Sequence, residues 1–186
     1  MSDVINANPT VLDASLLPKR DGVVLEKNED SLVYQELTEL SLDGLTYTDS
    51  EAEDEEEGFD SQEIYDLIST ISDPEHPLTL GQLAVVNLAD IKVIDHQDKS
   101  QIAEVIVKIT PTITHCSLAT LIGLGIRVRL ERCLPPRFRI LVLLKEGSHQ
   151  SENQVNKQLN DKERVSAACE NEQLLKVISH MLATCK

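Results

Sequence analysis

The fold of this chain is decided by residues 101–146, which read QIAEVIVKITPTITHCSLATLIGLGIRVRLERCLPPRFRILVLLKE. From Ile102 to Thr110 apolar and polar side chains alternate, which indicates a half-buried strand. Thr114 to Cys133 is apolar and long enough for a buried helix, and Pro135-Pro136 ends it. The alternation returns from Phe138 to Leu144. A strand, a helix and a second strand in this order predict a right-handed crossover and a parallel pair.

Two further elements are predicted before this stretch. Apolar residues spaced as one helical face run from Ser61 to Ile71, and Asp60 or Ser61 can cap that helix. A strand follows from Val85 to Ile94, after a turn. Because the polar residues 95–99 separate this strand from the next one, the two strands should form a hairpin.

The C-terminal part is predicted to be helical. Ser148 or Ser151 can start one segment, Leu159 to Cys169 forms a short amphipathic piece, and Asn171 can cap the last helix. We expect the apolar stripe of that last helix to cover the sheet, and a partner-binding face is the alternative. The stripe consists of Leu174, Leu175, Ile178, Met181 and Leu182.

Charge divides the chain into two parts. The net charge is -15, yet residues 1–62 hold 17 acids and 3 bases while the rest is nearly neutral. We therefore predict a disordered acidic tail over residues 1–60, before one α+β domain over residues 61–186. The domain should hold a three-stranded mixed sheet covered by helices. The tail contains two apolar clusters, Val11 to Leu17 and Leu37 to Leu45, which are either linker or segments that become ordered on a partner.

Composition argues against several classes of function. A near-neutral domain lacks the clustered positive surface that nucleic acids need, although one basic stretch runs from Arg127 to Arg139. The arginines of this stretch either lie at a helix end and on a strand without a binding role, or they contact an acidic partner. No signal peptide and no membrane span are predicted, so we expect a cytoplasmic protein. The four cysteines form no CxxC motif, which argues against a zinc ribbon and a thioredoxin site.

Cys116 is the residue with the most interesting position. It lies where a strand ends and a helix begins, and unpaired N–H groups and the helix dipole favour a negative charge there. Such a thiol should have a lowered pKa and be a better nucleophile or metal ligand. The neighbouring His115 could assist, but adjacent side chains usually diverge, so the residues do not establish a catalytic dyad. A purely structural cysteine remains the alternative at this point.

Several motifs resemble one known family. Asp73-Pro74-Glu75-His76-Pro77, then Thr110-Pro111-Thr112 and His115-Cys116-Ser117, are similar to eukaryotic cytosolic iron–sulfur assembly proteins of the MIP-eighteen type, with SufT-like and PaaD-like bacterial relatives. The resemblance extends over about residues 62 to 184. Thr114 and Leu118 depart from the residues often found in the family, which leaves the branch of the family open.

The resemblance implies an adaptor and not an enzyme. It implies a subunit of the cytosolic targeting complex, acting with a WD-repeat propeller subunit and a HEAT-repeat subunit to deliver clusters to cytosolic and nuclear apo-proteins. It also implies a reactive thiol at Cys116, with His115 and Ser117 beside it. No stably bound cofactor is expected. Because one cysteine cannot supply four thiolate ligands, a transient cluster would need a second chain, such as a homodimer partner.

Two other interpretations stay open. Cys116 could instead serve a thiol-based redox or transferase protein, which would show turnover or a stable oxidised form. The chain could also be a purely structural partner that binds through the stripe of its last helix. Candidate partner contacts are Asp73, Glu75, His76 and Arg137.

Overall fold

The structure, a computed structural model, describes residues 11–20, 58–96, 98, 100–112 and 118–185. The chain divides into two compact units. One unit includes residues 11–18 together with the main domain from Gly58 onward, and the other covers Lys19–Glu57, of which only two residues are described. Most of the predicted acidic tail therefore lies outside the described residues.

A three-stranded mixed sheet forms the centre of the domain. Its strands are β1 (Val86–Ile94), β2 (Ala103–Ile109) and β3 (Phe138–Leu144), in the order β1-β2-β3. β1 pairs with β2 in antiparallel fashion, with a register shift between Val86 and Ile91. β2 and β3 are parallel, and every residue of β2 has a partner on β3. The predicted hairpin and parallel pair are confirmed.

Two helices pack against this sheet. Helix α1 (Ser61–Ser69) lies on β1, and helix α2 (Leu118–Cys133) lies on β3. Asp60 caps α1, since its carboxylate accepts from the Glu63 amide at 2.7 Å while the Glu63 carboxylate accepts from the Asp60 amide at 3.2 Å. The predicted start of α2 at Thr114 falls on positions outside the described residues.

The core lies on one face of the sheet. Alternate residues of β2 and β3 are buried there, as period-2 alternation requires. Helix α1 contributes Ile64, Tyr65 and Ile68 to this core, and helix α2 contributes Ile122, Ile126 and Leu130. The core residues of β2 and β3 are Ala103, Val105, Val107, Ile109, Phe138, Ile140, Val142 and Leu144.

Three short helices follow β3. They are α3 (Glu152–Asn160), α4 (Lys162–Glu170) and α5 (Glu172–Met181), and a 3₁₀ turn (Leu182–Thr184) comes after them. The prediction of one continuous piece from Leu159 to Cys169 is wrong. Asp161 breaks it, because its backbone is extended and its carboxylate accepts from the first amides of α4. Asn171 caps α5 as predicted.

Helix α5 packs on α2, and this corrects the expectation that its stripe lies over the sheet. Met181 approaches Gly125 of α2, where an added Cβ would lie 3.1 Å from the Met181 methyl group. Ile178 and Met181 are both buried within the chain. Ile178 and Met181 therefore belong to the core and not to a partner-binding face. Leu174, Leu175 and Leu182 are half-buried, and their role at a partner stays a prediction.

Residues 11–18 differ from the predicted tail. The Leu12 amide donates to the Gln82 carbonyl at 2.7 Å, and the Gln62 side chain donates to the Pro18 carbonyl at 3.3 Å. The apolar cluster Val11 to Leu17 therefore lies against its own domain. Paired backbone groups offset part of the entropy of ordering this segment.

Candidate functional site

The loop Asp73 to Pro77 is closed by backbone hydrogen bonds. The Asp73 amide donates to the Leu78 carbonyl at 2.9 Å, and Ser72 pairs with Thr79 in an antiparallel bridge. Prolines at both ends of the loop remove backbone donors and restrict the chain. The loop therefore presents its side chains in a defined geometry.

Asp73 organises this loop from within. Its Oδ1 atom accepts from the amides of Glu75 and His76 at 2.8 and 2.9 Å, and the His76 ring Nδ1 lies 3.1 Å away. The Asp73 side chain is fully buried. Its second oxygen, Oδ2, has no hydrogen-bond partner within the part of the chain that the structure describes. A buried oxygen without a hydrogen bond costs folding free energy.

The loop exposes the other two predicted contacts. Glu75 is exposed, and the His76 side chain keeps 38% of its surface accessible. The structure thus brings Asp73, Glu75 and His76 together in one turn. Their role in partner binding stays a prediction.

The predicted thiol site lies outside the described residues, because His115, Cys116 and Ser117 are not among them. Its flanks are described. Pro111 and Thr112 follow β2, Leu118 and Ala119 begin α2, and all four residues are buried. The residues that flank this segment therefore lie in the core of the domain.

Thr112 carries a second orphaned polar atom. Its Oγ1 is buried without a hydrogen-bond partner among the described residues. Thr112 belongs to the Thr110-Pro111-Thr112 motif and directly precedes the segment that contains Cys116. The motif did not show that its hydroxyl group is buried, because burial depends on tertiary packing.

Arg137 is held within the chain. Its guanidinium donates to both carboxylate oxygens of Asp95, at 2.6 and 2.8 Å, and lies 4.6 Å from the centre of the Phe138 ring. These hydrogen bonds from Arg137 lower the pKa of the Asp95 carboxyl group from its ordinary value, although burial opposes the shift. Its predicted role as a partner contact stays a prediction.

The other cysteines are separate free thiols. Cys133, Cys169 and Cys185 are all half-buried and unpaired by disulfides. Among the described residues, no group of three or more His, Cys, Asp and Glu side chains could hold a metal ion. No helix in the described ranges is long and apolar enough to cross a membrane.

Comparison with known proteins identifies the family. The sequence model of the family described as "Iron-sulfur cluster assembly protein" matches residues 61–142. A MIP18 family protein of Saccharomyces cerevisiae is 65% identical over 176 residues, which cover 95% of this chain and 74% of the relative. A MIP18 family protein of Schizosaccharomyces pombe is 55% identical over 180 residues, 97% of this chain and 96% of the relative. The chain belongs to the MIP18 family.

Animal members of the MIP18 family are also similar to this chain. The cytosolic iron-sulfur assembly component 2B of Mus musculus is 46% identical over 162 residues, which cover 87% of this chain and 94% of the relative. The family match at residues 61–142 includes the Asp73 loop, all of β2, the segment around Cys116 and β3 up to Val142. All residues predicted as site residues therefore lie in the part that the family model matches.

Proposed function

We propose that this protein is an adaptor in cytosolic iron–sulfur protein assembly, which helps to deliver clusters to cytosolic and nuclear apo-proteins. The observation that carries this proposal is the identity of 46% to cytosolic iron-sulfur assembly component 2B, which extends over 87% of this chain. The protein would act in the cytoplasm and the nucleus as a carrier or scaffold and not as an enzyme.

Cys116 is the proposed contact for the cluster or for the client. The thiol lies two residues before Leu118, the first described residue of α2, and a helix start favours the thiolate form that binds metal. His115 and Ser117 flank it. The cluster is cargo and would be held transiently. Because a cluster needs about four ligands, a client or a second copy of the chain would supply the remaining ones.

The proposed partners are a WD-repeat propeller subunit and a HEAT-repeat subunit of a targeting complex. The loop from Asp73 to Pro77 supports recognition of such a partner, since Glu75 and His76 are accessible on a turn of fixed geometry. Pre-organised contact residues lose less conformational entropy on binding. Arg137 is the fourth candidate contact, acting from its ion pair with Asp95.

Affinity capture of the tagged protein from its own cells tests this function. Wild type, Cys116→Ala and the control Cys169→Ala are compared by mass spectrometry, and the iron content of cytosolic iron–sulfur enzymes is measured in the same cells. We expect all three to recover the WD-repeat and HEAT-repeat subunits. Only Cys116→Ala should lower client iron content, by about tenfold, because removing the thiol removes a proposed ligand.

Two outcomes would contradict the proposal in different ways. Failure of the wild type to recover either subunit would reject the adaptor function and favour a thiol-based redox or transferase protein that uses Cys116. Normal client iron content in Cys116→Ala would reject only the role of the thiol. A titration of thiol reactivity against pH tests the thiol-based alternative further. An ordinary pKa of about 8.5 for Cys116 would remove the basis for nucleophilic catalysis.

A further inference from the structure

The outer edge of β3 is covered over only half of its length. Val142 and Leu144 point their amides away from β2, and these amides donate to the side-chain oxygens of Asn160 and Asn156 at 3.3 and 2.8 Å. The Asn160 side chain also donates to the Val142 carbonyl at 2.9 Å. Two asparagines one turn apart on α3 thus replace a neighbouring strand. Their side chains form hydrogen bonds with backbone groups of β3 that would otherwise be free to pair with another strand.

In the other half of this edge the Phe138 amide donates to the Pro135 carbonyl at 3.0 Å, and the open position is Ile140. The Ala103 amide donates to the Arg137 carbonyl, and the Lys145 amide donates to the Ile109 carbonyl. The N–H and C=O groups of the odd-numbered residues of β3 therefore point towards β2. Ile140 therefore points its N–H and C=O groups outward, as Val142 does. Unlike Val142, it has no hydrogen-bond partner for them in the described part of the chain.

A groove of about 500 Å³ lies against this open half of β3. Ile140 and Asn160 contribute to its wall. Since the Ile140 side chain belongs to the core face of the sheet, its backbone is the part that can face the groove. An unpaired strand edge at the bottom of a groove is the arrangement that accepts an extended peptide as an added strand.

The charged residues that line this groove are mostly basic. They are Arg127, Arg137, Arg139 and Lys162, against the single acid Glu131. Two of the bases are engaged within the chain. Arg127 donates to Glu131 at 2.8 Å and to the Leu159 carbonyl at 2.6 Å, and Arg137 pairs with Asp95.

The remaining two bases keep their charge accessible. The Arg139 side chain has 65% of its surface exposed, and its nearest carboxylate, Glu104, lies 3.5 Å away and is itself one-third exposed. Lys162 is exposed at the first position of α4 and has no ion pair among the described residues. Exposed pairs of this kind are weak. The lining of the groove therefore includes two accessible positive charges.

We propose that this groove binds an extended acidic segment of a partner protein, which pairs with Ile140 as an added strand and places acidic side chains against Arg139 and Lys162. The backbone edge selects a polypeptide, because its N–H and C=O groups pair with another main chain. The two accessible bases select acidic side chains by charge complementarity. This inference does not rest on the iron–sulfur function.

A display library of random ten-residue peptides, panned on the full-length chain, tests the proposal. We expect the selected pool to be enriched in Glu and Asp at alternate positions. A synthetic peptide from that pool should bind the Arg139→Gln, Lys162→Gln double variant about tenfold more weakly, because both charge contacts are lost. The matched control is Arg132→Gln, Lys176→Gln, which removes the same charge at exposed positions outside the groove and should bind as the wild type does.

Amide exchange of Ile140 separates strand pairing from simple charge attraction. The peptide should slow exchange of the Ile140 amide, and N-methylation of alternate peptide residues should abolish both this protection and binding. A pool without excess acid, equal loss in the control variant, or unchanged exchange at Ile140 would each overturn the proposal. So would an equally tight complex with a single-stranded oligonucleotide, because it would show that the groove attracts any polyanion.

Discussion

At the scale of single residues, Asp73 has two oxygens with different surroundings. One oxygen, Oδ1, holds the loop by accepting from two amides, and the other is buried without a partner among the described residues. The whole Asp73 side chain is enclosed in the domain, and its Oδ1 lies 3.1 Å from the ring Nδ1 of the accessible His76. Asp73 therefore combines a structural role in the loop with a buried negative charge beside His76.

Substitutions at Asp73 should separate these two roles. Asp73→Ala should cost about 2 kcal/mol of unfolding free energy, because two loop amides lose their acceptor. Asp73→Asn keeps an oxygen at Oδ1 and should cost less than about 1 kcal/mol, yet it removes the charge. Urea unfolding measures the stability of each variant, and capture of the partner subunits measures the function. If Asp73→Asn recovers both subunits at wild-type levels, the charge of Asp73 has no role in binding them.

At the scale of elements, α2 packs closely against two other helices. An added Cβ at Gly123 would lie 2.5 and 2.9 Å from the two methyl groups of Leu159 on α3, and Leu159 is almost completely buried. At Gly125 the nearest atom would be the Met181 methyl group at 3.1 Å. Methionine is flexible and can move, whereas a buried leucine in a filled core cannot.

The two glycines should therefore respond differently to alanine. Gly123→Ala should destabilise the protein by about 1–2 kcal/mol, because overpacking outweighs the gain in helix propensity. Gly125→Ala, two residues away in the same helix, should be neutral or stabilising by up to about 1 kcal/mol. Urea unfolding of both variants compares them directly. In addition, Leu159→Ala should cost less in the Gly123→Ala background than in the wild type, and equal costs would mean that the clash is absent.

At the scale of the whole molecule, the Asp95–Arg137 pair joins segments that are 42 residues apart in the chain. The pair links the hairpin loop directly after β1 to the residue directly before β3. Phe138, beside this pair, packs edge-on against Phe59 with ring centres 5.2 Å apart. Hydrogen bonds from Arg137 lower the pKa of Asp95. The pair therefore stabilises the folded state above the pKa of the unfolded carboxyl group, and this contribution is lost as the pH falls through the folded pKa.

Arg137→Gln should show this dependence on pH. Near neutral pH the variant should be less stable than the wild type by about 1–2 kcal/mol, since the pair is only partly shielded from solvent. The difference should shrink as the pH falls below about 4, where Asp95 becomes protonated in the unfolded chain. Arg139→Gln is the control, because its side chain is largely exposed. A difference between Arg137→Gln and wild type that stays constant down to low pH would contradict this account.

The regular elements followed from local pattern, since periodicity and helix caps act over a few residues. Asp60 and Asn171 cap their helices as predicted, and the burial of β2 and β3 follows the alternation in the sequence. The division between α3 and α4 did not follow from the apolar pattern. It depends on Asp161, whose backbone is extended and whose side chain accepts hydrogen bonds from amides of α4 instead of allowing the helix to continue.

The sequence by itself determined the strand-helix-strand order, the hairpin and the family motifs, because each follows from the pattern of residues that lie close together in the chain. Only the tertiary structure decided which buried oxygens of Asp73 and Thr112 lack partners, where α5 packs, and that Arg139 and Lys162 line one groove. These features depend on residues far apart in the chain. Their energies come from burial and desolvation, which exist only after the chain has folded.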